Sequence, residues 1–369
     1  MEISQYAVKK INSTQHDNFA QDILGIHHVT AIASDPQKNI DFYTQILGLR
    51  LVKLTVNFDD PTTYHLYFGD EVGRPGTILT FFPWPNAPKG HRGTGQVIAT
   101  SFLIPECSTD YWLDRLKSQK VPVQGPTKRF NDTEEVLTLY DPDGLELELV
   151  ANRSTAAEER TLHVWKEDPI PIEHAIRGFY SVTLSEVGYE NTAHVLTSEL
   201  GFKFIGQDGS RFRFQISEAK GNDAAAGRNK NTKGEHHGSN IVDILCLPNA
   251  QYGMIGVGTV HHVAWRTPSD EQQKVLRSRI VKAGLNATPV IDRIYFHSVY
   301  FREPGGVLFE IATNPPGFAT DEKVEELGTH LMLPPWLESV RKDLESVLPS
   351  VHLPHKKEKG QEQVLSEKQ

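Results

Sequence analysis

IHHVT, from Ile26 to Thr30, returns near the far end of the chain as VHHVA, from Val260 to Ala264. Two further stretches come back in the same way. ILGLRLV (Ile46 to Val52) recurs as ELGFKFI (Glu199 to Ile205), each following a helical stretch and opening an alternating strand. PDGLELELVA (Pro142 to Ala151) recurs as PGGVLFEIAT (Pro304 to Thr313). Self-similarity of this kind marks a repeated structural unit. Four units fall near 24–84, 97–152, 174–248 and 257–314, each reading strand, helix, then two or three strands. One helix and a few strands bury a single sheet face, so units must close on one another in pairs. Curved sheets closed in this way leave a concave interior suited to a ligand. The expected fold class is α+β, with four βαβββ modules paired into two domains with curved mixed sheets.

Sequence order gives the expected boundaries. Residues 22–152 form an N-terminal domain of two modules, 153–173 a charged linker holding Pro169 and Pro171, and 174–316 a C-terminal domain of two modules. A helical extension follows over 317–355, with PPWLESVRKDLESVL (Pro334 to Leu348) as its amphipathic helix, and then a polar tail over 356–369 expected to be disordered. Within the first module, Ser34-Asp35-Pro36 supplies a capping side chain and a proline for the first helical position. Ile40, Tyr43, Ile46 and Leu47 make one apolar face, and Gly48 ends the helix. Leu276, Ile280 and Ala283 make the corresponding face in the fourth module, closed by Gly284. Glu218 to Asn240 is polar and glycine-rich and reads as a surface loop.

Composition excludes several classes. The 369 residues are 38% hydrophobic and 23% charged, ordinary for a globular protein but too many for one small core. No run approaches the roughly 18 apolar residues of a membrane span, and the N-terminus lacks the apolar core of a secretion signal. Cys107 and Cys246 fit neither a disulfide framework nor a zinc spacing, which agrees with a cytoplasmic setting. The net charge of -9 comes without a basic stripe, so no nucleic-acid partner is expected.

The two His-His pairs occupy equivalent opening strands, His27-His28 in the first module and His261-His262 in the fourth. Side chains alternate along a strand, so each pair is expected to send one imidazole to the concave face and one to the back. The fourth module closes with VLFEIA, where Glu310 is a carboxylate among apolar residues, costly unless it is paired or bound to a cation. Two histidines and a carboxylate form a facial triad, leaving three neighbouring coordination positions open, the pattern of non-haem Fe(II) sites that activate dioxygen. Glu148 aligns with Glu310, yet the second module has Ala99 where the fourth has His262, and the third has Ser181 where the first has His28. Glu148 is therefore expected to be solvated or structurally paired. His236-His237 reads as surface, and His65 as a packing residue that can also line the pocket.

LGIHHVTAI, YHLYFGDEVGRPGTILTFFPWP, IEHAIRGFYSVTL and DRIYFHSVYFREPGGVLFEIAT together resemble the vicinal oxygen chelate superfamily, with its glyoxalase-like fold. More narrowly, over about residues 22–345, they resemble its ring-cleaving dioxygenases that act on hydroquinones. That group holds the 2,6-dichlorohydroquinone 1,2-dioxygenases and the bacillary methylhydroquinone-detoxifying dioxygenases. The resemblance implies an Fe(II)-dependent, extradiol-type cleavage of substituted 1,4-dihydroxybenzenes with O2. It implies His28, His262 and Glu310 as metal ligands, in a site built jointly by the first and fourth modules. It also implies His27, Thr30, His261, Arg293 and Tyr300 around them as catalytic residues. Mn(II) accepts the same ligand set. The expected partners are a small aromatic substrate and O2, and a homo-oligomer is compatible with the sequence. For Arg293 the alternative is a surface ion pair, for Tyr300 a core aromatic, and for His27 and His261 packing on the back face. Competing functions on the same scaffold are a glyoxalase-like metal-dependent lyase or isomerase, which consumes no oxygen, and an aromatic-drug-binding resistance protein.

Overall fold

Asp35 caps the first helix as its sequence requires: its carboxylate accepts from the backbone N–H groups of Gln37 and Lys38, with Pro36 at the first helical position. A computed structural model describes residues 22–152, 163–166, 169–216 and 240–354. The first module is β1 (Ile26–Ala33), α1 (Pro36–Asp41, widened into a π turn over Phe42–Ile46), β2 (Arg50–Asn57), β3 (Asp60–Gly69) and β4 (Ile78–Pro83). The second is β5 (Gln96–Ile104), α2 (Thr109–Ser118), β6 (Val123–Arg129), β7 (Glu134–Tyr140) and β8 (Glu146–Asn152). The third is β9 (Phe179–Glu186), α3 (Glu190–His194, widened over Val195–Glu199), β10 (Phe202–Asp208), β11 (Arg211–Ile216) and β12 (Ile241–Cys246). The fourth is β13 (Val260–Thr267), α4 (Asp270–Lys282), β14 (Ile291–Asp292), β15 (His297–Arg302) and β16 (Leu308–Thr313).

Among the described residues, sixteen strands form two mixed sheets, in the orders β14-β15-β16-β13-β1-β4-β3-β2 and β10-β11-β12-β9-β5-β8-β7-β6. Two curved half-barrels of four modules is the fold class expected. The modules pair differently from the sequence-order division at 22–152 and 174–316: first joins fourth, and second joins third. Each opening strand is the edge of its own four-strand unit, and its free backbone groups need another edge. β1 finds β13, the strand whose sequence repeats its own, and β5 finds β9, both antiparallel. The two chain crossings between the sheets run side by side, bridged at Lys89 with Val257, His91 with Met254, and Thr94 with Tyr252.

Alternation then sorts the faces of the first sheet. Val29, Ala31, Phe81, Val263, Trp265, Phe309 and Ile311 are buried in one core cluster with Tyr43 and Leu47 of the first module and Leu276 and Ile280 of α4. Ala283, expected on that helix face, is exposed at the helix end. The opposite face carries His28, Thr30, Thr80, His262 and Glu310, polar yet buried. The C-terminal extension is mostly short turns, with a single α-helix α5 (Arg341–Val347), shorter than the expected amphipathic run. It is pinned to the first module by the fully buried Lys53, whose Nζ donates to Asp321 at 2.7 Å and to Glu322. The tail over 356–369, His236-His237 and almost all of the loop 218–240 lie outside the described residues. Among the described residues, no helix is long and apolar enough to cross a membrane, and both cysteines are free.

Candidate active site

The seam between β1 and β13 brings the two His-His pairs together. Thr30 stands opposite His262, and His28 opposite Ala264. β16, running parallel to β13, sets Glu310 opposite Ala264. The result is a triangle of donor atoms. His28 Nε2 lies 3.2 Å from His262 Nε2 and 3.2 Å from Glu310 Oε2, and His262 Nε2 lies 3.0 Å from Glu310 Oε2. These three residues form a buried group able to hold a metal ion. A cation with donors about 2.1 Å away would space them about 3.0 Å apart on an octahedral face and about 3.4 Å apart around a tetrahedron. The observed spacing is closer to the octahedral face. Glu310 Oε2 is also buried without an aligned hydrogen-bond donor, as expected of an oxygen aimed at a shared centre. Its other oxygen accepts from Ser298 Oγ at 2.5 Å. Burial pushes the Glu310 carboxyl up, but the imidazoles of His28 and His262 more than offset this and hold it well below the usual carboxylate range.

Strict alternation does not hold at the two pairs. The register slips by one residue between Ile26 and His28 on β1, and between His262 and Val260 on β13. His27 and His261 are therefore the extra residues of two β-bulges, a device that re-aims a side chain. Neither turns to the back. His27 Nδ1 lies 2.9 Å from His28 Nδ1, and His261 Nδ1 lies 2.8 Å from His262 Nδ1. His27 Nε2 faces the Thr313 carbonyl at 3.1 Å. A carbonyl only accepts, so His27 Nε2 carries the hydrogen and its Nδ1 is bare. His28 Nδ1 must then donate to it, which leaves the His28 Nε2 lone pair facing the triangle. Burial, reinforced by His28, keeps His27 well below the imidazole range, and burial with His262 lowers His261 to about 3. Both are neutral orienting groups. Burial likewise lowers His262, against the opposing pull of Glu310.

Tyr300 stands opposite Glu310 across β15 and β16, its ring 5.6 Å from that of His262. Burial, and next the Glu310 charge, raise its pKa, so the phenol keeps its proton. The Arg293 guanidinium lies 5.6 Å from the centre of the Tyr300 ring and donates to Asp59 Oδ2 at 2.9 Å. Thr30 accepts from Thr80 Oγ1 at 2.9 Å. The structure thus gathers all eight sequence-predicted residues in one half-barrel. It adds Phe296, Tyr67, Phe82 and Thr80, which sequence reasoning passed over, and packs His65 among them. Phe296 packs its ring 4.9 Å from His27 and 5.0 Å from His28. His65, half-buried, sits 4.0 Å from the Tyr67 ring and 4.4 Å from Phe82. Alternation in YHLYFG and TILTFF already puts His65 with Tyr67, and Thr80 with Phe82, on common faces.

The other half-barrel is an internal comparison. Ser101 faces Glu148 as Ala264 faces Glu310, and Ala99 faces Thr183 as His262 faces Thr30. Glu148 is structurally paired: Arg129 grips it with two bonds of 3.0 and 2.7 Å, and Ser101 Oγ donates at 2.7 Å.

Comparison with known proteins agrees with this architecture. The family profile described as "Glyoxalase/Bleomycin resistance protein/Dioxygenase superfamily" matches residues 25–149 and 189–311. MhqO of Bacillus subtilis (strain 168), named as a candidate ring-cleaving dioxygenase, is 43% identical over 89% of this chain and 97% of its own length. The chlorohydroquinone/hydroquinone 1,2-dioxygenase of Sphingobium indicum is 33% identical over 87% of this chain and 94% of its own. A crystal structure of a candidate dioxygenase from Bacillus subtilis subsp. subtilis str. 168 superposes with a TM-score of 0.79 at 41% identity, covering 91% of this chain and 100% of that one. With paired βαβββ modules, a His-His-Glu triangle at their seam and these relatives, the chain belongs to the Glyoxalase/Bleomycin resistance protein/Dioxygenase superfamily.

Proposed function

We propose that the protein is a non-haem Fe(II) ring-cleaving dioxygenase that opens substituted 1,4-dihydroxybenzenes between a hydroxylated carbon and its neighbour, inserting both atoms of O2. The observation that carries this reading is the buried triangle of two imidazole nitrogens and one carboxylate oxygen, 3.0 to 3.2 Å on a side. The names of the relatives support the reaction and the substrate class. His28, His262 and Glu310 would hold the ion; Mn(II) fits the same donors. When bound, Fe(II) supplies open coordination positions for a phenol and O2 side by side, and Lewis acidity that favours the phenolate.

The chain's own groups do the rest. His27 fixes the tautomer of His28, which would keep its Nε2 lone pair toward the ion, and His261 holds the His262 ring at Nδ1. Tyr300, held protonated, donates a hydrogen bond to oxygen at the site. Arg293 adds a fixed positive charge beside it, where negative charge grows on oxygen during cleavage. Phe296 and Phe82 supply aromatic surface for a flat ring.

The test is anaerobic loading with Fe(II) or Mn(II), then an oxygen electrode with methylhydroquinone, chlorohydroquinone, catechol and the methylglyoxal–glutathione adduct. The expected result is one O2 consumed per hydroquinone opened, and loss of both metal and turnover in His262→Ala. Isomerisation of the adduct without oxygen uptake would favour the glyoxalase-like reading. Full iron content and turnover in His262→Ala would remove the ligand assignment.

A further inference from the structure

Three neighbouring strands, β1, β4 and β3, carry a line of hydrogen bonds that ends beside the donor triangle. Thr80 Oγ1 donates to Thr30 Oγ1 at 2.9 Å. A hydroxyl has one hydrogen, so on its other side Thr80 can only accept. The group there is His65 Nε2, at 2.9 Å, which in this direction carries a hydrogen. His65 Nδ1 is then a bare lone pair, and the group facing it is the Tyr67 hydroxyl, at 2.8 Å. All three bonds run one way, from Tyr67 through His65 and Thr80 to Thr30. Tyr67 is 2% exposed and Thr80 and Thr30 are fully buried, so water does not compete for these groups. The Thr30 hydroxyl keeps one hydrogen that the line does not use. Thr30 is two residues from His28 on the same strand face and directly opposite His262.

We propose that the line runs in this direction, and that Tyr67, His65 and Thr80 are positioning residues that hold the Thr30 hydroxyl as a hydrogen-bond donor toward oxygen at the His28-His262-Glu310 centre. The proposal rests on the ring-cleavage reading for the identity of that oxygen. Thr30 accepts from Thr80, so its own hydrogen is turned away from the line and toward the inner face. His65 works as a neutral relay of direction, with both ring nitrogens occupied by protein groups. It therefore offers no free nitrogen to a substrate, and substitution there acts through Thr30.

The experiment uses the full-length protein, wild type and three variants, Thr80→Val, Thr80→Ser and His65→Leu. Side-chain nitrogen NMR of the metal-free protein reads the His65 tautomer directly. The expected result is a neutral ring with the hydrogen on Nε2 in wild type and Thr80→Ser, and loss of that preference in Thr80→Val. The nitric oxide complex of the Fe(II)-loaded protein, followed by electron paramagnetic resonance, reads whether the line reaches the metal. Its spectrum is expected to shift in Thr80→Val and His65→Leu and to return in Thr80→Ser. With methylhydroquinone, Thr80→Val is expected to lose about tenfold or more in kcat, with KM and metal content little changed. Combining it with His65→Leu is expected to add little, because the line acts as a unit. A His65 hydrogen on Nδ1, or a charged His65 at neutral pH, overturns the proposal whatever the turnover. So does a Thr80→Ser variant as impaired as Thr80→Val. Absence of oxygen uptake in the wild type would instead remove the ring-cleavage reading, while the tautomer and the nitrosyl spectrum still decide the line.

Discussion

His27→Phe separates an orienting role for the first histidine of each pair from a packing role. The ring shape is kept and stays against Phe296, 4.9 Å away. What is lost is the bare Nδ1 that receives the hydrogen of His28 Nδ1 at 2.9 Å. His27 is 1% exposed, so no water can replace it. A buried donor left unmade costs about 1–3 kcal/mol, and the His28 tautomer that offers Nε2 to the ion loses its support. Loss of such an outer partner weakens metal affinity by about 10- to 100-fold, or about 1.4 to 2.7 kcal/mol. The assay is an anaerobic competition titration of Mn(II) or Fe(II) against a chromogenic chelator, independent of turnover, with a thermal melt to show that the variant is folded. His261→Phe provides the contrast. His261 is only half-buried, so water can reach the freed His262 Nδ1, and the loss of affinity should be the smaller of the two. A folded His27→Phe variant that binds metal within twofold of wild type would refute the tautomer reasoning; so would a larger loss at His261.

Other perturbations probe distinct parts of the structure. Arg129→Met leaves the buried Glu148 carboxylate without its counter-ion and is expected to cost about 3–5 kcal/mol in denaturant unfolding at unchanged metal stoichiometry; a loss of metal would show that the half-barrels are not independent. Glu186, at the end of β9, is buried with an unpartnered Oε1 beside Glu303, and burial first, then the Glu303 charge, raises its pKa to about 8. A carboxyl raised in the fold gives stability that is present at acidic pH and lost as pH climbs toward 8, at about 1.4 kcal/mol per pH unit. Glu186→Gln should therefore gain on wild type between pH 6 and 8 in denaturant midpoints, then hold level; a constant gap across that range would show that Glu186 does not keep its proton. Asp59→Asn frees Arg293 from an exposed partner, so folding stability should change by no more than about 1 kcal/mol. The KM for methylhydroquinone is expected to rise up to about fivefold, and an unchanged KM would mean that Arg293 holds its place unaided.

Much of this was legible in the chain because the physics was local. Asp35-Pro36 sets the start of α1 and Gly48, at a φ of 73°, its end. Period-two patterns define the strands, and a lone Glu in VLFEIA stands out against its apolar neighbours. What the pattern could not show depends on contacts between distant segments. Adjacent modules are the default partners, yet the seam joins β1 to β13 across most of the chain. The bulges at His27 and His261 break the alternation by one residue, and nothing in HHV distinguishes a bulge from a regular strand. His65, Tyr67 and Thr80 were visible as polar residues on inward faces, but their bonds cross strands that only the fold sets side by side.

The two half-barrels show one problem solved twice. In each, a glutamate sits at the same register of the closing strand and is almost completely buried, Glu148 at 2% and Glu310 at 0% exposure. A buried carboxylate needs positive charge nearby. In the second and third modules that charge is built into the chain as Arg129, whose two nitrogens occupy both oxygens of Glu148. In the first and fourth modules no guanidinium reaches Glu310 among the bonds of the described residues; two imidazole nitrogens face it instead. To balance the carboxylate by themselves the imidazoles must take up a proton, and burial opposes this at His262. A divalent cation would satisfy all three groups at once. The same register that fixes structure in one half-barrel therefore leaves, in the other, a buried group able to hold a metal ion.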